Sequence, residues 1–181
     1  MPRLQALDPA TATGQAKELL DGVQKKMGAV PNIMRTMAQS PAVLQAYLGF
    51  SGALSGGLLP ASLRERIALV VGERNNCEYC LAAHSKIGQM TGLSDDEILA
   101  SRRVEVADPK VQAVLKFARR LVDERGWVSD ADLESLRAQG YGDGEIAEIV
   151  ATVSINIFTN YFNHTAGTEV DFPPVPALAE A

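Results

Sequence analysis

The sequence predicts an all-α protein, a single-domain helical bundle over residues 1–181. Apolar residues recur at three- and four-residue spacing nearly everywhere, and β-branched alternating runs bounded by turns are scarce. No second composition zone, low-complexity tract or internal repeat divides the chain, and at 46% hydrophobic it can bury a substantial core.

Each element has its own local signal. Ala16, Leu19, Leu20 and Val23 share one face of a first helix from about Thr13 to Met27, which Gly28 ends. Pro31-Asn32 and Ser40-Pro41 punctuate two further segments, because serine caps an N-terminus and proline suits a first turn. The second of these carries Val43, Leu44, Tyr47, Leu48 and Phe50. Gly56-Gly57 breaks the chain before Pro60, which opens a helix through about Arg74. Asn75-Asn76 interrupts it, and the next helix runs from Cys77 to about Thr91, closed by Gly92. Ser94-Asp-Asp-Glu97 has capping-box spacing, Asp108-Pro109 starts a helix to about Glu124, and Ser129 caps a short one ending near Gly140. The last helix, from about Asp143 to Thr165, is the most apolar. Its Ile146, Ile149, Val150, Val153, Ile157, Phe158 and Tyr161 predict that it crosses the core or lies in a subunit interface. From about Asp171 the Pro-rich tail cannot be helical and is expected to lie extended against the surface.

A net charge of −5 with scattered basic residues disfavours a nucleic-acid footprint, and Lys25-Lys26 and Arg102-Arg103 read as solvated helix faces. The start, Met1-Pro-Arg-Leu-Gln-Ala-Leu-Asp, lacks a long apolar stretch, and no run approaches the ~18 apolar residues that could span a bilayer. The expected location is cytoplasmic. Two cysteines close together in a reducing compartment argue for catalysis, redox sensing or metal binding rather than a structural staple.

Those cysteines, Cys77 and Cys80, stand at C-x-x-C spacing with His84 four residues on. If Asn76 caps the helix, Cys77 sits in the first turn, where unpaired amide N–H groups and the helix dipole favour a thiolate. At ~100° per residue, Cys77, Cys80 and His84 fall within an arc of roughly 60°, so all three point to one side. His84 can then take the Cys80 proton directly or through one water, and Cys77 can attack an oxidised Cys80. This reading assigns nucleophile, base and resolving thiol.

Glu65 lies twelve residues before Cys77 on another helix. Ser62-Leu-Arg-Glu65 has capping-box spacing, whereas Pro60 points to an earlier helix start that frees Glu65 for another role. Glu73 and Glu78 read as solvated. His164 could cap the last helix, bond within a tertiary contact or approach the thiols. Tyr79 is expected to pack away from the face the cysteines share, and Trp127 to be core or interface.

The stretch from Leu59 to His84, with Arg64-Glu65, Cys77-Glu-Tyr-Cys80 and His84, closely resembles the alkylhydroperoxidase D-like group of the carboxymuconolactone decarboxylase superfamily. Gly28-Ala-Val-Pro-Asn32 and Ser40-Pro-Ala-Val-Leu44 look like the family's N-terminal half. Asn160-Tyr-Phe-Asn-His164 with Asp171-Phe-Pro173 looks like its usual ending. The resemblance implies an all-helical fold, obligate homo-oligomers (dimers, trimers or hexamers), and a peroxidase whose second cysteine reacts first. It places the peroxidatic thiol at Cys80, the resolving thiol at Cys77 and the proton relay at His84 and Glu65. Tyr79 departs from the pattern, because the best-characterised alkylhydroperoxidases carry histidine between the cysteines. The decarboxylase branch lacks the cysteine pair, so lactone decarboxylation is not expected.

The implied cycle uses a hydroperoxide substrate, passes through a Cys80 sulfenic acid and a Cys77–Cys80 disulfide, and ends with reduction by a small dithiol or a dithiol-carrying protein. It requires no cofactor, whether metal, haem or flavin; a c-type haem would need His directly after the second cysteine, where Leu81 stands. Two other readings remain: a non-catalytic redox sensor using the same disulfide, and a structural zinc site from Cys77, Cys80, His84 and His164.

Overall fold

A computed structural model describes residues 1–178, and among them the chain forms nine α-helices and no strand. In chain order these are α1 (Gly14–Met27), α2 (Asn32–Met37), α3 (Pro41–Ser55), α4 (Ala61–Arg74), α5 (Glu78–Met90), α6 (Asp95–Arg103), α7 (Pro109–Asp123), α8 (Asp130–Ala138) and α9 (Asp143–Ala166). The last three residues of the expected tail lie outside the described residues.

The helix α4 is the centre of the bundle. It buries Leu63 and every residue from Arg66 to Gly72, so it is covered all round and packs against α5, α6, α7 and α9. Two main cores flank it. Ile67, Val70 and Val71 pack with Val114, Leu115 and Phe117 of α7, Leu136 of α8 and Ile146, Ile149 and Val153 of α9. On the other side, Leu20 and Val23 of α1, Met34 and Met37 of α2 and Leu44 of α3 pack with Cys77, Tyr79, Cys80 and Ala83. The cysteines therefore belong to a core rather than to a surface loop. Gly72 lets α5 approach closely, since a Cβ there would stand 3.4 Å from Leu81 and 3.6 Å from the Cys80 Cβ.

The expected punctuation accounts for most helix ends. Ser94 and Ser129 make full capping boxes with Glu97 and Asp132, Asp108 caps α7 through the Lys110 amide, and Gly28 ends α1 at φ 76°. Asn76 does not cap α5. It adopts φ 52°, in the left-handed region that asparagine tolerates, and Cys77 takes the cap position instead. The helix α9 crosses the core on one face, while Phe158 and Tyr161 on another are exposed. Trp127 is 87% exposed and is no part of this chain's core.

Two surface expectations are corrected. Arg102 is buried, with Nε donating to Glu73 Oε2 at 2.7 Å and Nη2 to the Pro176 carbonyl at 3.0 Å. Arg102 is therefore not a solvated helix residue, since the Pro176 carbonyl of the tail and Glu73 both hold it, and Glu73 is half-buried in an ion pair rather than free in solvent. Among the described residues no helix is long and apolar enough to cross a membrane.

Candidate active site

The turn between α4 and α5 builds the centre. Asn76 reverses the chain and Cys77 follows in extended conformation, its N–H donating to the Gly72 carbonyl at 2.9 Å. The Cys77 sulfur then accepts the N–H of Cys80 at 3.3 Å, the bond that a serine or aspartate would make at a helix N-cap. Cys77 and Cys80 are joined as a disulfide, with Cα atoms 5.3 Å apart. Both are almost fully buried, at 1% and 2% exposure.

Two side chains from α9 meet this pair. Asn160 Nδ2 donates to the Cys80 sulfur at 2.9 Å and Asn163 Nδ2 donates to it at 3.3 Å. Asn163 reaches the Cys77 sulfur only at 4.0 Å. Asn75 Nδ2 donates to Asn160 Oδ1 at 2.9 Å, which fixes the way the Asn160 amide faces. Neither asparagine was singled out from the sequence, although both lie in its quoted C-terminal motif. The available signal was Asn156, Asn160 and Asn163 at four- and three-residue spacing in the most apolar helix, a polar stripe where apolar residues would be expected to pack.

His84 and Glu65, on different helices, come together. His84 Nδ1 lies 2.7 Å from Glu65 Oε2, and both side chains are about four-fifths buried, at 21% and 16% exposure. Glu65 is in the second turn of α4, pointing at α5, so it does not cap its own helix. With Nδ1 held by the carboxylate, Nε2 is the nitrogen left for proton exchange. The pair lines a cavity of about 80 Å³ together with Tyr47, Ser51, Thr152, Asn156 and Thr159. Burial pushes the Tyr47 phenol pKa up, and the Glu65 charge adds to that, so Tyr47 is a neutral hydroxyl at the cavity wall.

His84 does not hydrogen-bond to either sulfur; the side-chain donors to the Cys80 sulfur among the described residues are the two asparagines. His164 is exposed on α9 and does not join the cysteines. Glu78 is exposed as expected. Tyr79 is a structural tie: its hydroxyl accepts the Ile33 N–H at 3.2 Å, and its ring meets Phe172 edge-on at 5.6 Å. Burial, the largest cause, holds its phenol pKa far above the ordinary value.

Residues 41–124, from the start of α3 to the end of α7, match the Carboxymuconolactone decarboxylase family. No curated protein matches the chain. Among solved structures, an uncharacterized peroxidase-related protein with an alkylhydroperoxidase AhpD core from Ralstonia eutropha JMP134 is 26% identical. The match covers 94% of this chain and 92% of that one, with a TM-score of 0.85. An uncharacterized peroxidase-related protein from Silicibacter sp. TM1040 is also 26% identical, over 93% and 94% of the two chains, with a TM-score of 0.79. The debrominase Bmp8, solved with 2,3,4-tribromopyrrole, shares the fold at 21% identity, covering 93% and 91%, with a TM-score of 0.80. The family match over the segment that carries both cysteines, and likeness over nearly the whole length to two peroxidase-related chains, one of them with an AhpD core, support an alkylhydroperoxidase D-like protein of the carboxymuconolactone decarboxylase superfamily.

Proposed function

We propose that this chain is a thiol-dependent peroxidase that reduces hydroperoxides through Cys80 and Cys77. The observation that carries the reading is a vicinal cysteine pair, buried in a core, one helical turn from a histidine held by a carboxylate 2.7 Å away. A structural staple would not need that neighbour, and a fold shared with a debrominase does not choose the substrate by itself.

In the proposed cycle the Cys80 thiolate attacks the terminal oxygen of the hydroperoxide, breaking the O–O bond. Sulfur gains the hydroxyl as a sulfenic acid, and the departing alkoxide takes a proton to leave as an alcohol, or as water from hydrogen peroxide. His84, oriented by Glu65, supplies that proton from Nε2 through one water, having received it from the Cys80 thiol. The Cys77 thiol then attacks the sulfenic sulfur, forming the disulfide and releasing water. An external dithiol reduces the disulfide by exchange and is itself oxidised. No step calls for a cofactor.

The partners in this reading are the hydroperoxide, a small dithiol or dithiol-carrying protein, and further copies of this chain. The helix α3 supports the last. It carries no charged residue from Pro41 to Ser55 yet buries only Leu44, leaving Phe50 exposed, and Phe158 and Tyr161 of the neighbouring α9 are exposed too. A cytoplasmic location belongs to the same reading, because a pair that cycles between dithiol and disulfide needs a reducing compartment. A stress sensor built on the same bond would oxidise once and stop. The zinc alternative loses support because His164 stands exposed and apart from the other three ligands.

The test is steady-state consumption of hydrogen peroxide and an organic hydroperoxide with several reductants, including dihydrolipoamide. Many turnovers per chain are expected with at least one pair; oxidation that halts after one equivalent under every reductant would leave the sensor in its place.

A further inference from the structure

We propose that the amides of Asn160 and Asn163 form a sulfur cradle that stabilises the Cys80 thiolate and so makes Cys80, rather than Cys77, the attacking sulfur. The inference rests on the thiol reading of the pair but not on the identity of the oxidant.

The two sulfurs have unequal surroundings. Cys80 receives side-chain N–H groups at 2.9 and 3.3 Å, whereas Cys77 has a backbone N–H at 3.3 Å and a remote amide at 4.0 Å. Both thiols are packed among Met34, Met37, Leu44 and Ala83, and burial of that kind disfavours a thiolate. Hydrogen bonds to the charged form oppose it, and amides donate at every pH because they do not titrate. Asn160 and Asn163 are three residues apart on one face of α9, so one rigid helix delivers both donors.

The cradle is built rather than incidental. Asn160 is fully buried, and Asn75 binds its Oδ1, which leaves Nδ2 to face the sulfur. Asn163 keeps its amide buried although its Oδ1 finds no partner among the described residues. A buried amide with one end unsatisfied is costly, and the contact that its other end makes is with sulfur.

On the elements packed around Cys80, His84 of α5 pairs with Glu65 of α4, Tyr47 of α3 lines the same cavity and Tyr79 is tied to Ile33. Arg66, Glu73 and Arg74 of α4 are paired with Glu97, Arg102 and Asp123, and Glu78 of α5 is exposed. Arg35 of α2 is turned to Asn32 Oδ1 and the Leu7 carbonyl. The helix α9 brings no ionisable side chain to the sulfur; its contribution is the two neutral donors.

The test labels reduced protein with iodoacetamide across pH and maps the rate at each cysteine by mass spectrometry. In wild type, Cys80 should label with the lower apparent pKa. Asn160→Ala and Asn163→Ala should each raise it by about one unit, cutting the thiolate fraction about tenfold at pH below it, with Cys77 little changed. Asn75→Ala, at the half-buried helix end, leaves the donors in place but frees the Asn160 amide, and should shift Cys80 in the same direction by less. Should the Asn160 or Asn163 variants fail to fold, the Asn75→Ala shift and the wild-type order of the two thiols decide. Cys80 profiles that coincide with wild type in folded variants, or a wild-type Cys77 that ionises first, would overturn the cradle. Shifted profiles without peroxide turnover would uphold the cradle and remove only the peroxidase reading.

Discussion

His84 Nδ1 sits 2.7 Å from Glu65 Oε2, nineteen positions away in the chain, so the central helix α4 holds the imidazole that stands four residues past Cys80. A carboxylate on Nδ1 fixes the tautomer and ring orientation and leaves Nε2 free to exchange a proton. Glu65→Gln keeps the shape of that contact and removes its charge. Peroxide-reaction rates near neutral pH should fall within the ~10²–10⁴-fold range typical of acid–base groups for His84→Ala, and by less for Glu65→Gln. Rates followed against pH for the three proteins check this, and superimposable profiles would take the relay out of the mechanism.

Oxidation should be confined to one bond. Treating reduced protein with a small excess of peroxide should remove two hydrogens from the peptide spanning Cys77 and Cys80, with the helical circular dichroism unchanged, because both sulfurs already sit in the packed core. Mass spectrometry that finds both thiols free under excess peroxide, or dimers linked through sulfur, contradicts the proposed cycle.

Tyr79 makes a stability prediction that does not depend on the chemistry. Its hydroxyl accepts the Ile33 N–H in a buried setting, and Tyr79→Phe should cost roughly 1–3 kcal/mol at neutral pH by leaving that donor unpaired. The folded phenol is held neutral above its ordinary pKa, so its contribution is complete below about pH 10 and declines above it, where the unfolded chain loses the proton first. Denaturant titrations should show wild type losing stability more steeply above pH 10 than Tyr79→Phe. Tyr47 and Tyr141, also raised, contribute the same sign in both proteins.

Self-association should run through the uncharged face of α3 and α9. The native mass should be a multiple of 19.4 kDa, and Phe158→Glu, placed on exposed apolar surface, should lower it. Sedimentation equilibrium reads this out; a wild-type monomer at micromolar concentration refutes it.

Much of this protein is legible in its sequence because its helices are punctuated by chemistry that acts locally. Ser94, Asp108, Ser129 and Gly28 mark ends through bonds to residues two to four positions away. The caps of α3 and α5 show the limit: Ser40 holds the cap position without a side-chain bond, and Cys77 rather than Asn76 caps α5 because its buried sulfur faces the Cys80 amide. Spacing puts Cys77, Cys80 and His84 on one side of α5, but only family resemblance brought Glu65 to them, since its reach depends on how α4 packs. Asn160 and Asn163 were missed for the same reason, eighty or more residues from the sulfur they touch. Burial of Arg102 escapes the sequence because its partners, Glu73 and the Pro176 carbonyl, lie 29 and 74 positions away.

The most direct measurement traps sulfenic acid with a dimedone-type reagent after a single peroxide addition and locates it by mass spectrometry in Cys77→Ser and Cys80→Ser proteins. The account predicts label on Cys80 in the first protein, rising with peroxide until further oxidation competes, and none on Cys77 in the second. Label on Cys77 in the Cys80→Ser protein, with Cys80 silent in its counterpart, would reverse the two roles and contradict the central claim.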